Sequence, residues 1–243
     1  MGRPARREAS YKMKAEILSV GTELLLGQIV DTNAAYIARR LAELGVILHR
    51  KTTVGDNLVR VSAAVREALG RADVVIATGG LGPTEDDLTR EAVADTLSVR
   101  LVESPEVIAD LARFFAARGA RMTENNRRQA LMPEPGAGRL IPNPMGTAPG
   151  VLFESGGKRV ICLPGVPREM ERMMDAWVVP YIRDRQRGSS GAQVIKSKVV
   201  RTSGIGESTL EALIVDLAHG RDNPTVATYA GGGECQDHCP GRL

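Results

Sequence analysis

Three glycines and three acids lie close together in residues 78–87, whose sequence is TGGLGPTEDD. The apolar run at residues 72–77 predicts a buried strand before this segment, and residues 88–97 predict a helix after it. Glycines let a backbone turn sharply and bring its N–H groups close to a ligand, and loops between a strand and a helix bind anions. The loop has no Lys or Arg. A polyanion would therefore be held by backbone N–H groups and a metal ion, which indicates metal-dependent phosphate or pyrophosphate chemistry.

Two more loops with acids follow predicted strands at residues 15–20 and 46–54. Because the carboxyl ends of parallel strands meet at one sheet edge, we expect these loops to lie beside the glycine loop. Clustered carboxylates repel one another, and a hard divalent cation bound by their oxygens removes that conflict. The sequence thus predicts a divalent metal, Mg, Mn or Co. The candidate metal ligands are Asp31, Asp56, Glu85 and Asp86, and the candidate catalytic residues are Asp56, Asp86 and Asp87.

A second interpretation of these acids is structural. Asp31, Asp56 and Asp86 each stand at a predicted helix start, where a carboxylate caps free N–H groups. Capping explains any one of them alone, but all three at one sheet edge beside a glycine loop favour a functional site. Spacing alone does not separate the roles of Glu85, Asp86 and Asp87.

Two later segments, residues 143–150 and 164–169, are further candidates for ligand loops. Prolines restrict the first segment, and the second follows a predicted strand and begins a helix, as the glycine loop does. The alternative for each segment is an ordinary turn.

Composition narrows the class of protein. The chain has 243 residues, of which 43% are hydrophobic and 25% charged, as in soluble globular proteins. We expect no membrane span and no secretory signal, and we expect a cytoplasmic location because three cysteines argue against a disulfide framework. A net charge of +3 gives no reason to expect direct contact with nucleic acid.

Strands and helices alternate along the first half of the chain, which predicts a mostly parallel α/β sheet. We predict a disordered extension at residues 1–12, a linker at 185–192 and a loop at 139–150. The predicted strands are residues 15–20, 46–54, 74–77, 151–154 and 159–163, and the predicted helices include 31–44, 57–69, 86–97, 105–118 and 168–184.

These motifs resemble those of a known family. The chain is similar to the competence/damage-inducible protein A (CinA) family over about residues 13–229. The stretches that carry the resemblance are residues 15–27, 31–33, 54–57, 78–87, 143–150 and 163–170.

The resemblance implies a fold, an activity and a set of substrate contacts. It implies a three-layer α/β/α catalytic domain of the molybdopterin-binding type over residues 13–184 and a small α/β KH-like domain over 193–243. The implied activity is metal-dependent hydrolysis of the pyrophosphate bond of ADP-ribose to AMP and ribose 5-phosphate, in a homo-oligomer expected to be a dimer. The substrate-binding residues would be Thr22, Glu23, Asn33, Thr78, Gly79, Gly80, Gly82, Pro83, Thr84, Asn143, Gly146, Thr147, Gly165 and Pro167.

The chain departs from the family pattern in two ways. It ends before a further domain that deamidates nicotinamide mononucleotide in family members, so that activity is not expected. Residues 233–243 form an atypical tail, which predicts an incomplete last strand in the small domain. Two other functions stay open: molybdopterin binding or adenylyl transfer in molybdenum-cofactor biosynthesis, and a non-catalytic nucleotide-binding module linked to competence.

Overall fold

Four parallel and two antiparallel strands form a six-stranded sheet in the computed structural model, which describes residues 13–186, 196–218, 226–231 and 234–241. The strands of this part of the chain are β1 (Lys14–Val20), β2 (Ile47–Val54), β3 (Val74–Thr78), β4 (Leu101–Glu103), β5 (Leu131–Pro133), β6 (Gly138–Ile141), β7 (Gly150–Ser155) and β8 (Lys158–Leu163). Strands β4 and β5 pair with each other in a separate two-stranded sheet. The sheet order is β2-β1-β3-β8-β7-β6, with β1, β2, β3 and β8 parallel and β7 and β6 antiparallel to their neighbours.

Helices cover both faces of this sheet. They are α1 (Thr22–Leu25), α2 (Thr32–Glu43), α3 (Leu58–Arg71), α4 (Thr89–Leu97), α5 (Pro105–Ala116), α6 (Pro167–Met173) and α7 (Val179–Gln186), with a 3₁₀ helix at Glu124–Ala130 and a π-helical segment at Met174–Val178. Successive strand residues point to opposite faces, so Ile17 packs into one apolar core and Leu18 into the other. The predicted three-layer α/β/α fold with a mostly parallel sheet is confirmed.

The strand order places a topological switch point between β1 and β3. The chain leaves β1 for β2 on one side, then returns to form β3 on the other side of β1. Loops that leave adjacent strands toward opposite faces open a crevice at the carboxyl edge, and ligands of open α/β sheets bind in that crevice. The glycine loop follows β3, so the fold puts it at this crevice.

Several predicted boundaries were wrong. The helix predicted at residues 86–97 begins at Thr89, because Asp86 and Asp87 belong to a turn before it. Asn57, rather than Asp56, caps the helix Leu58–Arg71, since the Asn57 side chain accepts from the Arg60 N–H at 3.1 Å. The loop predicted at 139–150 contains most of β6, which pairs with β7 as an edge strand.

A second, smaller sheet follows. It contains β9 (Lys196–Ser203), β10 (Ala227–Gly231) and β11 (Glu234–Gly241) in the antiparallel order β10-β11-β9, with the helix α8 (Glu207–Ala218) between β9 and β10 in the chain. The atypical tail, for which an incomplete last strand was predicted, supplies β11, the central strand of this sheet. The predicted extension at 1–12 and linker residues 187–192 lie outside the described residues.

No helix in the described part of the chain is long and apolar enough to cross a membrane.

Candidate functional site

The backbone of the glycine loop adopts a conformation that only glycine accepts readily. Gly79 and Gly80 have φ values of 99° and 66°. A Cβ atom on Gly79 would lie 2.1 Å from the carbonyl oxygen of Val20, and one on Gly80 would lie 2.3 Å from Thr89 Oγ1. The loop is thus folded tightly against the end of β1 and the start of α4, and its two glycines open onto the crevice.

An open pocket of about 490 Å³ lies beside this loop and has an acidic lining. Among the described residues that line it there is no Lys or Arg. The acids of the lining are Glu23, Asp56, Asp86, Asp87 and Glu169, and other lining residues are Gly79, Gly80, Gly82, Pro83, Thr84, Gln129, Thr147 and Gly165. We call this cavity the acid pocket.

Two of its carboxylates are used to shape loops. Asp56 Oδ2 accepts from the N–H and the hydroxyl of Thr22, at 2.7 Å and 2.8 Å. Asp87 Oδ2 accepts from the N–H and the hydroxyl of Thr84, at 2.8 Å and 2.5 Å, and so closes the acidic turn. Within the described part of the chain, the side chains of Glu23 and Asp86 make no hydrogen bond and both are exposed. Those two carboxylates are available to a ligand.

An arginine holds the acidic turn from outside the pocket. Arg128, in the 3₁₀ helix, donates from Nη1 to the carbonyl oxygen of Thr84 at 3.0 Å and from Nη2 to Glu91 at 2.8 Å. Beneath it lies Arg90, which is fully buried and donates to the Arg128 carbonyl at 3.0 Å. Burial lowers the pKa of Arg90. These contacts fix the turn that carries Asp86 and Asp87.

A second pocket, of about 290 Å³, adjoins the acid pocket. The two cavities share Val20, Glu23, Gly79 and Gly165. The second pocket is also lined by Leu24, Ile29, Val30, Asp31, Thr32, Asn33, Thr78 and Pro167. We call it the amide pocket, after the side-chain amide of Asn33.

The four predicted metal ligands are not gathered in one cluster. Asp31 lines the amide pocket and caps α2, accepting from the Ala34 N–H at 2.8 Å and the Ser19 hydroxyl at 2.6 Å. Asp56 and Asp86 line the acid pocket, whereas Glu85 is absent from the described lining of both pockets. No group of three or more His, Cys, Asp or Glu suited to a metal ion occurs among the described residues.

This arrangement still fits a hard cation, because its donors are carboxylate oxygens. Magnesium is commonly bound by one or two carboxylates together with substrate phosphates and waters, rather than by an all-protein cage. Asp56 and Asp86 offer two such carboxylates in one pocket. The metal site stays a prediction. The protein would supply two ligands to the metal in this pocket, fewer than the four that the sequence indicated.

Two residues with polar side chains line the acid pocket but were not among the predicted site residues. Gln129 is buried and donates to Thr147 Oγ1 at 3.1 Å, and Glu169 accepts from Asn143 Nδ2 at 2.6 Å. Gln129 comes from the short 3₁₀ helix Glu124–Ala130, and no motif in that helix indicated a ligand site. Glu169 lies in the first turn of the helix that begins at Pro167, within the segment 164–169 that the sequence indicated as a candidate ligand loop.

The predicted residues of the 143–150 segment act mainly on the shape of the site. Asn143 Oδ1 accepts from the Gly146 N–H at 3.0 Å, and Gly146 lies directly against the Glu169 carboxylate. Asn143 and Gly146 line a third pocket, on the α5 side of the loop, and Thr147 lines both that pocket and the acid pocket.

Comparison with known protein families defines the class of protein to which the chain belongs. Residues 16–184 match the family described as probable molybdopterin binding domain, and residues 197–236 match the damage-inducible protein CinA KH domain. Together with the sheet and its switch-point pocket, these matches define a molybdopterin-binding-type α/β domain followed by a small KH-like unit.

Individual relatives agree. A CinA-like protein of Dictyoglomus turgidum is 50% identical over 222 residues, which are 91% of this chain and 52% of that protein. A CinA-like protein of Rippkaea orientalis is 48% identical over 226 residues. The crystal structure of the protein CinA from Thermoplasma acidophilum superposes with a TM-score of 0.65 at 38% identity, covering 70% of this chain and 98% of that one. The chain belongs to the CinA family, and it spans about half the length of the curated relatives it matches.

Proposed function

We propose that the chain hydrolyses the pyrophosphate bond of ADP-ribose in a metal-dependent reaction, giving AMP and ribose 5-phosphate. The observation that carries this proposal is the acid pocket itself, which combines a glycine loop with five carboxylates and no basic side chain in its described lining. A pyrophosphate group there would meet backbone N–H groups but also carboxylates of its own sign. Only a bound cation makes that pairing favourable, which is why we propose a metal-dependent reaction.

Within this proposal each residue has a role set by its contacts. Asp86 and Asp56 would hold the divalent cation, which neutralises phosphate charge and generates a nucleophilic water when bound. Gly79 and Gly80 would offer N–H groups to phosphate oxygens. Thr22 orients Asp56 through two hydrogen bonds, and Arg128 anchors the turn of Asp86.

Product analysis tests the proposal. The purified chain is incubated with ADP-ribose and magnesium, manganese or cobalt, and AMP and ribose 5-phosphate are quantified. We expect equal amounts of the two products. The proposed reaction would be refuted if ADP-ribose were cleaved to products other than AMP and ribose 5-phosphate. It would also be refuted if the folded protein gave no product with any of the three metals.

A second candidate function is molybdopterin binding or adenylyl transfer, which the description of the matched family favours. In that case the same pocket would hold the phosphate of a pterin. Formation of an adenylated pterin from ATP and molybdopterin, without hydrolysis of ADP-ribose, would support it. Nucleotide binding without turnover in either assay would favour a non-catalytic module.

A further inference from the structure

The amide pocket has apolar walls that are left open to solvent. Ile29 is 54% exposed and Val30 is 82% exposed, and both line this pocket together with Leu24 and Pro167. Large aliphatic side chains exposed together at a cavity mark a surface for an apolar ligand. At about 290 Å³, this cavity suits a ring system rather than a whole nucleotide.

One polar atom at this pocket has no partner. Asn33 is buried, and its Nδ2 donates to Thr78 Oγ1 at 2.9 Å and to the Gly165 carbonyl at 2.8 Å. The carbonyl of Gly165 only accepts, so the amide nitrogen must face it and the orientation of the amide is fixed. Asn33 Oδ1 is then left as a buried acceptor with no hydrogen-bond partner among the described residues. A ligand that satisfies it must bring an N–H or O–H donor.

The order of the two pockets matches the covalent order of a nucleotide. Glu23 lines both cavities and so lies between the amide of Asn33 and the glycine loop. If phosphates occupy the acid pocket, the attached ribose reaches Glu23, whose free carboxylate accepts from hydroxyl groups. The base, one unit further along, reaches the amide pocket.

We infer that the amide pocket binds the base of the nucleotide and selects adenine by an exocyclic amine that donates to Asn33 Oδ1. This inference rests on the proposed function, because it takes a nucleotide as the ligand of the adjoining pocket. Apolar side chains of the loop after β1 would cover the faces of the ring, and the amide would read its edge.

Binding of two nucleotides tests the inference without turnover. AMP and purine riboside 5′-monophosphate, which lacks the amine, are titrated into the full chain by calorimetry. The native chain should bind AMP about tenfold more tightly than the analogue. In Asn33→Ala the two affinities should become equal, even if the loss of the contacts to Thr78 and Gly165 weakens both. Equal affinities in the native chain, or a preference retained in Asn33→Ala, would overturn the inference.

A second pair of variants works even if Asn33→Ala does not fold. Ile29→Asp places a charge on the wall of the amide pocket and should weaken AMP binding about tenfold while leaving inorganic pyrophosphate binding unchanged. Leu26→Asp is the matched control, because Leu26 is 66% exposed in the same loop and is absent from the described lining. Unchanged AMP affinity in Ile29→Asp would contradict the inference.

Two further results separate this inference from its alternatives. Displacement of AMP by a pterin from the native chain but not from Asn33→Ala would assign the pocket to a pterin and overturn the adenine assignment. Base discrimination without hydrolysis of ADP-ribose would refute the proposed function alone. Hydrolysis without base discrimination would refute this inference alone.

Discussion

At the scale of single residues, the acids of the site differ in whether their oxygens are already used. Asp87 and Asp56 each accept two hydrogen bonds from a threonine, which fixes the loops they belong to. In the part of the chain that the structure describes, Asp86 has no such partner and is exposed in the acid pocket. We therefore propose Asp86, rather than Glu85 or Asp87, as the metal ligand of this turn.

The substitution Asp86→Asn tests this assignment. It removes one charge and keeps the size of the side chain, so we expect turnover of ADP-ribose to fall at least about 100-fold with the unfolding temperature unchanged. Glu85→Gln is a matched comparison on the same turn, and we expect a much smaller effect because Glu85 is outside the described pocket lining. An effect of Glu85→Gln equal to that of Asp86→Asn would show that the wrong acid had been chosen.

The backbone of Gly79 gives a second prediction at this scale. Gly79→Ala should lower the free energy of unfolding by about 3 kcal/mol, because the new methyl group meets the Val20 carbonyl and the left-handed φ is strained. Gly136→Ala is the matched control: its φ of 90° is similar, but no atom lies within 4 Å of the added Cβ. We expect it to cost only about 1 kcal/mol in urea denaturation. If the two variants lost the same free energy of unfolding, the glycine loop would have room to accommodate the added methyl group.

At the scale of elements, hydrophobic periodicity predicted the strands and helices that position the site. Most buried residues of strands β1, β3 and β8 and of helices α2 and α3 are apolar, and the predicted bounds of these elements lie close to those observed. The start of α4 was wrong because the Asp87 side chain closes a turn on Thr84, a contact that hydropathy does not encode. Strand β6 was missed because only its pairing with β7 defines it.

A buried thiol in the central strand β8 leads us to expect that stability depends on pH. Burial raises the pKa of the Cys162 thiol to about 12 from an ordinary value of 9.0. Below pH 9 the thiol is neutral in both states; above it, the unfolded chain ionises while the folded chain does not, so stability falls as pH rises.

Urea unfolding at pH 9 and pH 10 measures this loss of stability. The native chain should lose about 1 kcal/mol more over that interval than Cys162→Ala. The variant is the proper comparison because every other titrating group is the same in both chains. Equal losses in the two chains would show that Cys162 ionises in the folded state as it does in the unfolded chain.

At the scale of the whole molecule, the site belongs to the first α/β domain. The described residues that line the acid and amide pockets fall between Val20 and Glu169. The convergence of loops after β1 and β3 was predictable, because parallel strands must share one carboxyl edge. The placement of Asp31 and Asp86 in different pockets was not predictable from the sequence, because it depends on how far each loop extends from that edge. The role of the tail as strand β11 depends on long-range pairing with β9 and β10 and was likewise missed.

A truncated chain tests whether this domain suffices. Residues 13–186 alone should hydrolyse ADP-ribose within about threefold of the full chain, measured per folded molecule. The Thermoplasma protein, 98% of which corresponds to 70% of this chain, shows that a polypeptide of nearly this extent forms the domain. A folded but inactive truncation would mean that the small KH-like unit, or contacts it promotes, contributes to the site.

The most direct test of the central claim is the dependence of AMP release on magnesium. The native 243-residue chain is supplied with a constant concentration of ADP-ribose, magnesium is titrated from a chelated, metal-free solution, and AMP release is measured. We expect no AMP without metal and saturable AMP release as magnesium is added, since the acid pocket would not hold pyrophosphate without a cation. AMP release at an undiminished rate in excess chelator would contradict it, because the five carboxylates would then have a role other than metal-dependent binding of the pyrophosphate.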